Sequence, residues 1–112
     1  MSQEAFEIEL PGQKKVVLVE LKPSQLQQAM QLGGGPTGNS LATAMEGLRL
    51  SIREIDGRKV GYNDLAGERL DDAFRTRDVM LLVGVWNEMH FPSEEEAKAI
   101  LGKAKTIAGS GT

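Results

Sequence analysis

The stretch from Val79 to Trp86, eight residues without a charge, limits what this chain can fold into more than any other feature. A segment apolar almost all round belongs at the centre of a core. Two elements can bury it, a core helix or a buried strand. Length arbitrates, because the pattern runs on to His90 before Pro92 breaks it, which exceeds an ordinary strand. The expectation is a central helix with Val79, Leu82, Val83, Trp86 and Met89 or His90 on its face, and Thr76 or Asp78 as its cap. A buried strand is the competing reading.

The segments before this run change period. Phe6, Ile8 and Leu10 alternate with Glu7 and Glu9, and Pro11-Gly12 separates them from the β-branched run Val16 to Leu21, which predicts a β-hairpin. Ser24 and Gln27 have capping-box spacing, so a short helix bearing Leu26, Ala29, Met30 and Leu32 should follow. Gly33-Gly34-Gly35-Pro36 ends it, and Gly33 to Ser40 is expected to be a mobile loop. A second short helix is expected over about Ser40 to Leu48, capped by Asn39 or Ser40. Leu48, Leu50 and Ile52 then alternate, and Asp56-Gly57 signals a type I′ turn, so a second hairpin is expected with Val60 to Tyr62 returning. Short helical pieces over Asn63 to Phe74 lead into the apolar run. Ser93 with Glu96 forms another capping box, opening a helix through Ala97, Ile100, Leu101 and Ala104, with lysines toward its C-terminal end.

The resulting fold class is α+β: an N-terminal β-hairpin, two short helices, a second β-hairpin and a C-terminal helical half. The 112 residues fit a single α+β domain over residues 1–108, with a disordered tail over 109–112. Only Phe6, Tyr62, Phe74, Trp86 and Phe91 are aromatic, so aliphatic and methionine side chains must fill most of the core.

Composition narrows the function. With no cysteine, a disulfide scaffold, a cysteine metal site and thiol chemistry are excluded. Met1-Ser2-Gln3-Glu4 lacks the basic and apolar regions of a signal peptide, and eight apolar residues fall far short of the roughly 20 a membrane span needs. A cytoplasmic protein is expected, with no membrane partner. The net charge of −3 argues against nucleic acid, since neutralising phosphates takes a concentrated positive field. The best basic feature is a ribbon of Arg49, Arg53, Arg58 and Lys59 on the second hairpin.

Reactive constellations are thin. Gly33 to Ser40 approaches the P-loop pattern, but Asn39 stands where its lysine should be, and a helix rather than a strand precedes it. His90 is the only histidine, and it suits a helix C-terminus, where it can bond a carbonyl. The acidic runs Asp71-Asp72 and Glu94 to Glu96 fit helix starts, because adjacent helical residues point apart. No catalytic residue, cofactor site or metal site is expected. Methionines serve as core filler, although Met30 or Met45 can also line an adaptable binding groove beside the Gly33–Asn39 loop. The candidate partner-binding residues are Met30, Gly34, Pro36, Met45, Trp86 and His90.

Between Ile52 and Pro92 the order Ile55-Asp56-Gly57, Val60-x-Tyr62-x-Asp64-Leu65, Leu70-Asp71-x-Ala73-Phe74, Asp78-Val79-x-Leu81-Leu82 and Trp86-x-x-x-His90-x-Pro92 resembles small proteins encoded among phage-type tail and baseplate genes. These are described as assembly chaperones. The resemblance covers about 40 residues and includes no catalytic signature. It implies a non-enzymatic adaptor that binds a tail-tube, tape-measure or baseplate subunit in the host cytoplasm before assembly. Two alternatives stand beside it: a structural component of a phage-like tail or contractile injection machine, and a small nucleic-acid-binding regulator.

Overall fold

The computed structural model describes residues 4–35 and 38–104. Among them the elements are β1 (Ala5–Glu9), β2 (Lys15–Val19), α1 (Pro23–Leu32), α2 (Ser40–Ser51), β3 (Ile52–Ile55), β4 (Arg58–Lys59), α3 (Tyr62–Leu65), α4 (Arg69–Ala73), α5 (Thr76–His90) and α6 (Glu94–Lys103). The expected α+β class and order of hairpins and helices hold. One antiparallel sheet in the order β1-β2-β3-β4 joins both hairpins, and α1 and α2 lie in the connection between them. Pro36 and the expected tail over 109–112 lie outside the described residues.

Turn chemistry builds both hairpins. Gln13 donates to the Leu10 carbonyl at 3.0 Å, with Pro11 and a left-handed Gly12 between them, the arrangement of a type II turn. In the second hairpin Asp56 (φ 51) and Gly57 (φ 82) are both left-handed, as type I′ demands. Asp56 also ties this turn to β2: its amide donates to the Lys15 carbonyl, and its Oδ1 accepts from the Lys15 amide, each at 2.8 Å.

Strand β3 carries a bulge that sets which side chains reach the core. Val17 and Leu18 are adjacent on β2, yet face Glu54 and Ile52, two residues apart on β3. The extra residue, Arg53, breaks the two-residue alternation. Ile52 and Ile55, three apart, can therefore both be buried. They join Val16 and Leu18 from β2, Ala44 and Leu48 from α2, Leu65, Leu70 and Phe74 from the α3–α4 segment, and Val79, Leu82 and Trp86 from α5 in one cluster.

Helix α5 confirms the helical reading of the apolar run, and it lies against α2 at unusually close range. An alanine Cβ at Gly47 would stand 2.1 Å from Cζ2 of Trp86, so the indole occupies the space where a side chain would be. Trp86 is fully buried, and its Nε1–H donates to Ser51 Oγ at 2.9 Å. Gly33 does the same for α1, where a Cβ would meet the Thr43 backbone nitrogen at 2.8 Å.

Several local expectations are corrected. Helix α1 begins at Pro23, not after Ser24. Proline's fixed φ suits the first helical position, so Gln25 stands where the box residue belongs and accepts the Lys22 amide at 2.9 Å. Helix α2 runs three residues beyond Leu48, to Ser51, and Ile52 enters β3 directly. The Leu48-Leu50-Ile52 alternation is thus mostly helical, because contact with Trp86 holds Ser51 in the helix. The return strand is Arg58–Lys59, since a two-residue turn pairs the chain immediately after Gly57. Tyr62 instead opens α3, whose start is secured by Asp64 Oδ2 accepting the Gly61 amide at 2.8 Å. Arg75, not Thr76 or Asp78, is the cap residue of α5.

The Ser93–Glu96 capping box is present, with reciprocal bonds of 3.1 and 3.2 Å. The apolar face it opens is not buried: every described residue of α6 is exposed, Ile100 at 73% and Leu101 at 75%. No helix among the described residues is long and apolar enough to cross a membrane.

Gly47, which faces α5, and Gly84, which faces open space, should respond oppositely to the same change. Gly47→Ala gains about 1 kcal/mol of helix propensity, but it must displace the indole. We expect a net loss of about 1–3 kcal/mol from overpacking. A Cβ at Gly84 meets nothing within 4 Å, so Gly84→Ala should gain about 0.5–1 kcal/mol. Urea denaturation of the two variants measures both.

Candidate functional site

The first turns of α2 and α5 present apolar side chains to one depression. Leu41 and Met45, one turn apart on α2, meet Val79 and Met80 of α5, with Leu70 and Phe74 forming the floor. The groove has a volume of about 650 Å³, and Asp71, Arg75 and Thr76 give it a polar rim. Leu70, Phe74 and Val79 are buried, whereas Leu41 and Met80 are 45% and 43% exposed. Large side chains left half in water around an apolar floor suit an apolar side chain from another molecule.

The sequence-derived candidates scatter. Met45 lines this groove. Met30 is half exposed on α1 but does not line it, and Gly34 follows α1 with a left-handed φ of 108°. Trp86 is a correction: fully buried, it offers no surface to a partner and acts instead as the contact between α5 and α2. The sequence does not single out Leu41, and it marks Met80 only as core filler. The signal lay in the i, i+4 pair Leu41 and Met45, offset by one helical face from the buried pair Ala44 and Leu48.

His90 is occupied structurally. The Leu21 amide donates to Nε2 at 2.8 Å, and Nδ1 lies 2.8 Å from the Trp86 carbonyl. The first bond makes Nε2 the acceptor, so Nδ1 carries the proton and donates to the carbonyl. The ring stacks on the Trp86 indole with centroids 4.3 Å apart. His90 thus ties the end of α5 to the segment between β2 and α1.

The candidate basic ribbon of the nucleic-acid alternative is not assembled. Arg49 lies in α2, nearly buried, donating to the carbonyls of Leu65 at 2.8 Å and Gly67 at 3.1 Å and to Glu46 Oε1 at 2.7 Å. The Arg53 guanidinium turns back to the Leu50 carbonyl. Arg58 and Lys59 are left exposed on β4. The near P-loop is a helix-to-helix link: Gly33 and Gly34 donate back to Ala29 and Gln31, and Asn39 Oδ1 caps α2 by accepting the Ala42 amide at 2.7 Å. Among the described residues, no group of three or more histidine, cysteine, aspartate or glutamate side chains is placed to hold a metal.

Glu46 has a second partner, the Tyr62 hydroxyl, which donates to Oε2 at 2.8 Å. That bond raises the tyrosine pKa above its ordinary value of 10.0, with desolvation and the Glu46 charge adding to it and Arg49 opposing. Because the folded value is the higher one, this stabilisation is present below pH 10 and lost as pH rises through the folded value. Tyr62 is the single tyrosine, so tyrosinate absorbance reports it alone. We expect a titration midpoint above 10 in the folded protein, moving down in Glu46→Gln and on unfolding.

Comparison of the chain with protein-family models, with curated proteins and with solved structures gives no match.

Proposed function

We propose that this protein is a non-enzymatic adaptor that binds another polypeptide, and that it acts as an assembly chaperone for a phage-like tail or baseplate subunit in the host cytoplasm. The observation that carries the binding reading is the groove of Leu41, Met45, Leu70, Phe74, Val79 and Met80, an apolar floor with flexible, half-exposed walls. Methionine and leucine at the mouth can repack around different apolar side chains, which suits a client held transiently. The tail and baseplate assignment rests on the resemblance over Ile52 to Pro92. That segment supplies four of the groove residues, together with the tryptophan that holds α5 against α2.

A second reading, a permanent component of a tail or injection machine, draws on β1. This strand is an edge of the sheet, and its backbone can pair with a strand from a neighbour. The two readings differ in where the protein ends up. A chaperone should be missing from purified particles, and a component should be present in them.

Co-expression with tail-tube, tape-measure and baseplate subunits from the same gene cluster should yield a copurifying complex under the chaperone reading. Leu41→Glu and Met80→Glu place charges on exposed positions and should leave folding intact. Each should reduce recovery of the client at least tenfold. Copurification unaffected by both changes would remove the groove from the account.

A further inference from the structure

Two apolar surfaces lack a partner among the described residues, and their charges are ordered. The outer face of α5 carries Met80, Leu81, Gly84 and Val85, with Arg77 at its N-terminal end and Glu88 at its C-terminal end. These positions share one side of a 3.6-residue helix, opposite Leu82 and Trp86. Leu81 is 43% exposed, and a Cβ at Gly84 would touch nothing, so the face is open. Helix α6 carries Ala97, Ile100 and Leu101 along one side, all exposed, with Glu94, Glu95 and Glu96 in its first turn and Lys103 in its last.

We infer that α6 of one copy docks, parallel, on the outer face of α5 of a second copy, giving a reciprocal homodimer. Orientation follows from charge. In the parallel arrangement the acidic end of α6, Glu94 to Glu96, lies at the Arg77 end of α5, and the Lys103 end lies at Glu88. In the antiparallel arrangement acids meet Glu88 and lysine meets Arg77, so like charges meet at both ends. Chain length then excludes docking on the same copy. Parallel docking would carry Glu94 back beside Arg77, roughly 20 Å along the helix from His90. The connection Phe91 to Ser93 reaches at most about 14 Å when fully extended. Phe91 is itself held, its ring edge-on to Trp86 with centroids 5.8 Å apart. The helix that can lie antiparallel on its own α5 has the wrong charges for it, and the parallel seat belongs to another molecule. A two-fold exchange of this kind satisfies both surfaces of both copies. The groove at Leu41 and Met45 lies beside this face, and only Met80 borders both.

Sedimentation equilibrium of the full chain from low to high micromolar concentration tests the inference. The wild type should reach twice the 12.1 kDa chain mass. Leu81→Glu on α5 and Leu101→Glu on α6 should each be monomeric. Ile100→Glu serves as a second α6 variant, and at concentrations low enough for the wild type to be monomeric all three should match its thermal melt, because the positions are exposed in the single chain. Mixing Leu81→Glu with Leu101→Glu should restore dimers, since one intact α6 meets one intact α5 face. The inference is overturned by a wild type that stays monomeric at high concentration, by variants that dimerise like the wild type, or by a mixture that stays monomeric. A wild-type monomer whose melt drops on Leu101→Glu would place α6 on its own chain instead. Client binding through Leu41 is read separately, so either result leaves the other standing.

Discussion

The indole of Trp86 rests on bare backbone at Gly47, and much of the remaining architecture depends on that contact. The missing Cβ lets α5 approach α2 at a distance no other residue would permit. The approach brings Nε1 to Ser51 Oγ, which satisfies a donor that would be costly to bury alone. The carbonyl of Trp86 and its ring then position His90, and His90 accepts the amide of Leu21 beyond β2. A single side chain therefore couples the helical half to the sheet. It also settles which face of α5 is buried, and so which face is left outside.

A second constraint lies in Arg49. Helices of four and five residues cannot satisfy many of their own carbonyls, since the last four of any helix have no partner within it. The Arg49 guanidinium reaches from α2 to one such group, the Leu65 carbonyl that ends α3, and to the Gly67 carbonyl in the turn before α4. Its charge is balanced by Glu46, which holds the Tyr62 hydroxyl with its other oxygen. The short α3–α4 segment is thus fastened to α2 by directional bonds as well as by Leu65 and Leu70. At the far end, Lys14 donates to the Ala73 carbonyl at 2.6 Å and sits over the Phe74 ring, tying the first hairpin turn to α4. Phe74 and Leu70 become the groove floor because these straps hold them there.

The surfaces available to partners follow from the same packing. Burying Val79, Leu82 and Trp86 on one side of α5 leaves Met80 and Leu81 on the other, and an eight-residue run with no charge has no polar face to turn outward. Apolar exposure on α5 is therefore inherent in the run itself. Helix α6 adds a second exposed stripe, bounded by charges of opposite sign at its two ends. Arg49, Glu46 and His90, by contrast, are engaged by hydrogen bonds within the fold.

Local chemistry alone determined the turns, the class and several helix starts. Pro11-Gly12 and Asp56-Gly57 admit few backbone conformations, Ser93 with Glu96 closes a capping box, and an eight-residue apolar run whose pattern continues to His90 before a proline is difficult to build as a strand. Tertiary contacts decided the rest. Leu48, Leu50 and Ile52 alternate like a strand, yet Leu48 and Leu50 close α2 beside the Trp86–Ser51 bond and only Ile52 enters β3. The bulge at Arg53, which turns Ile52 and Ile55 to the same side, appears only when β3 pairs with β2. Trp86 and His90 could be read from their residue types as binding groups, but burial and hydrogen-bond partners are properties of the folded neighbourhood. By sequence Met45 is a candidate for a groove beside the Gly33–Asn39 loop, but the groove it lines contains no described residue of that loop, and Leu41 and Met80 face it only once α2 and α5 are packed. A one-dimensional pattern specifies what each residue prefers to do locally. Which side chains share a surface is set by the distance at which two helices can approach, and here a missing Cβ sets that distance.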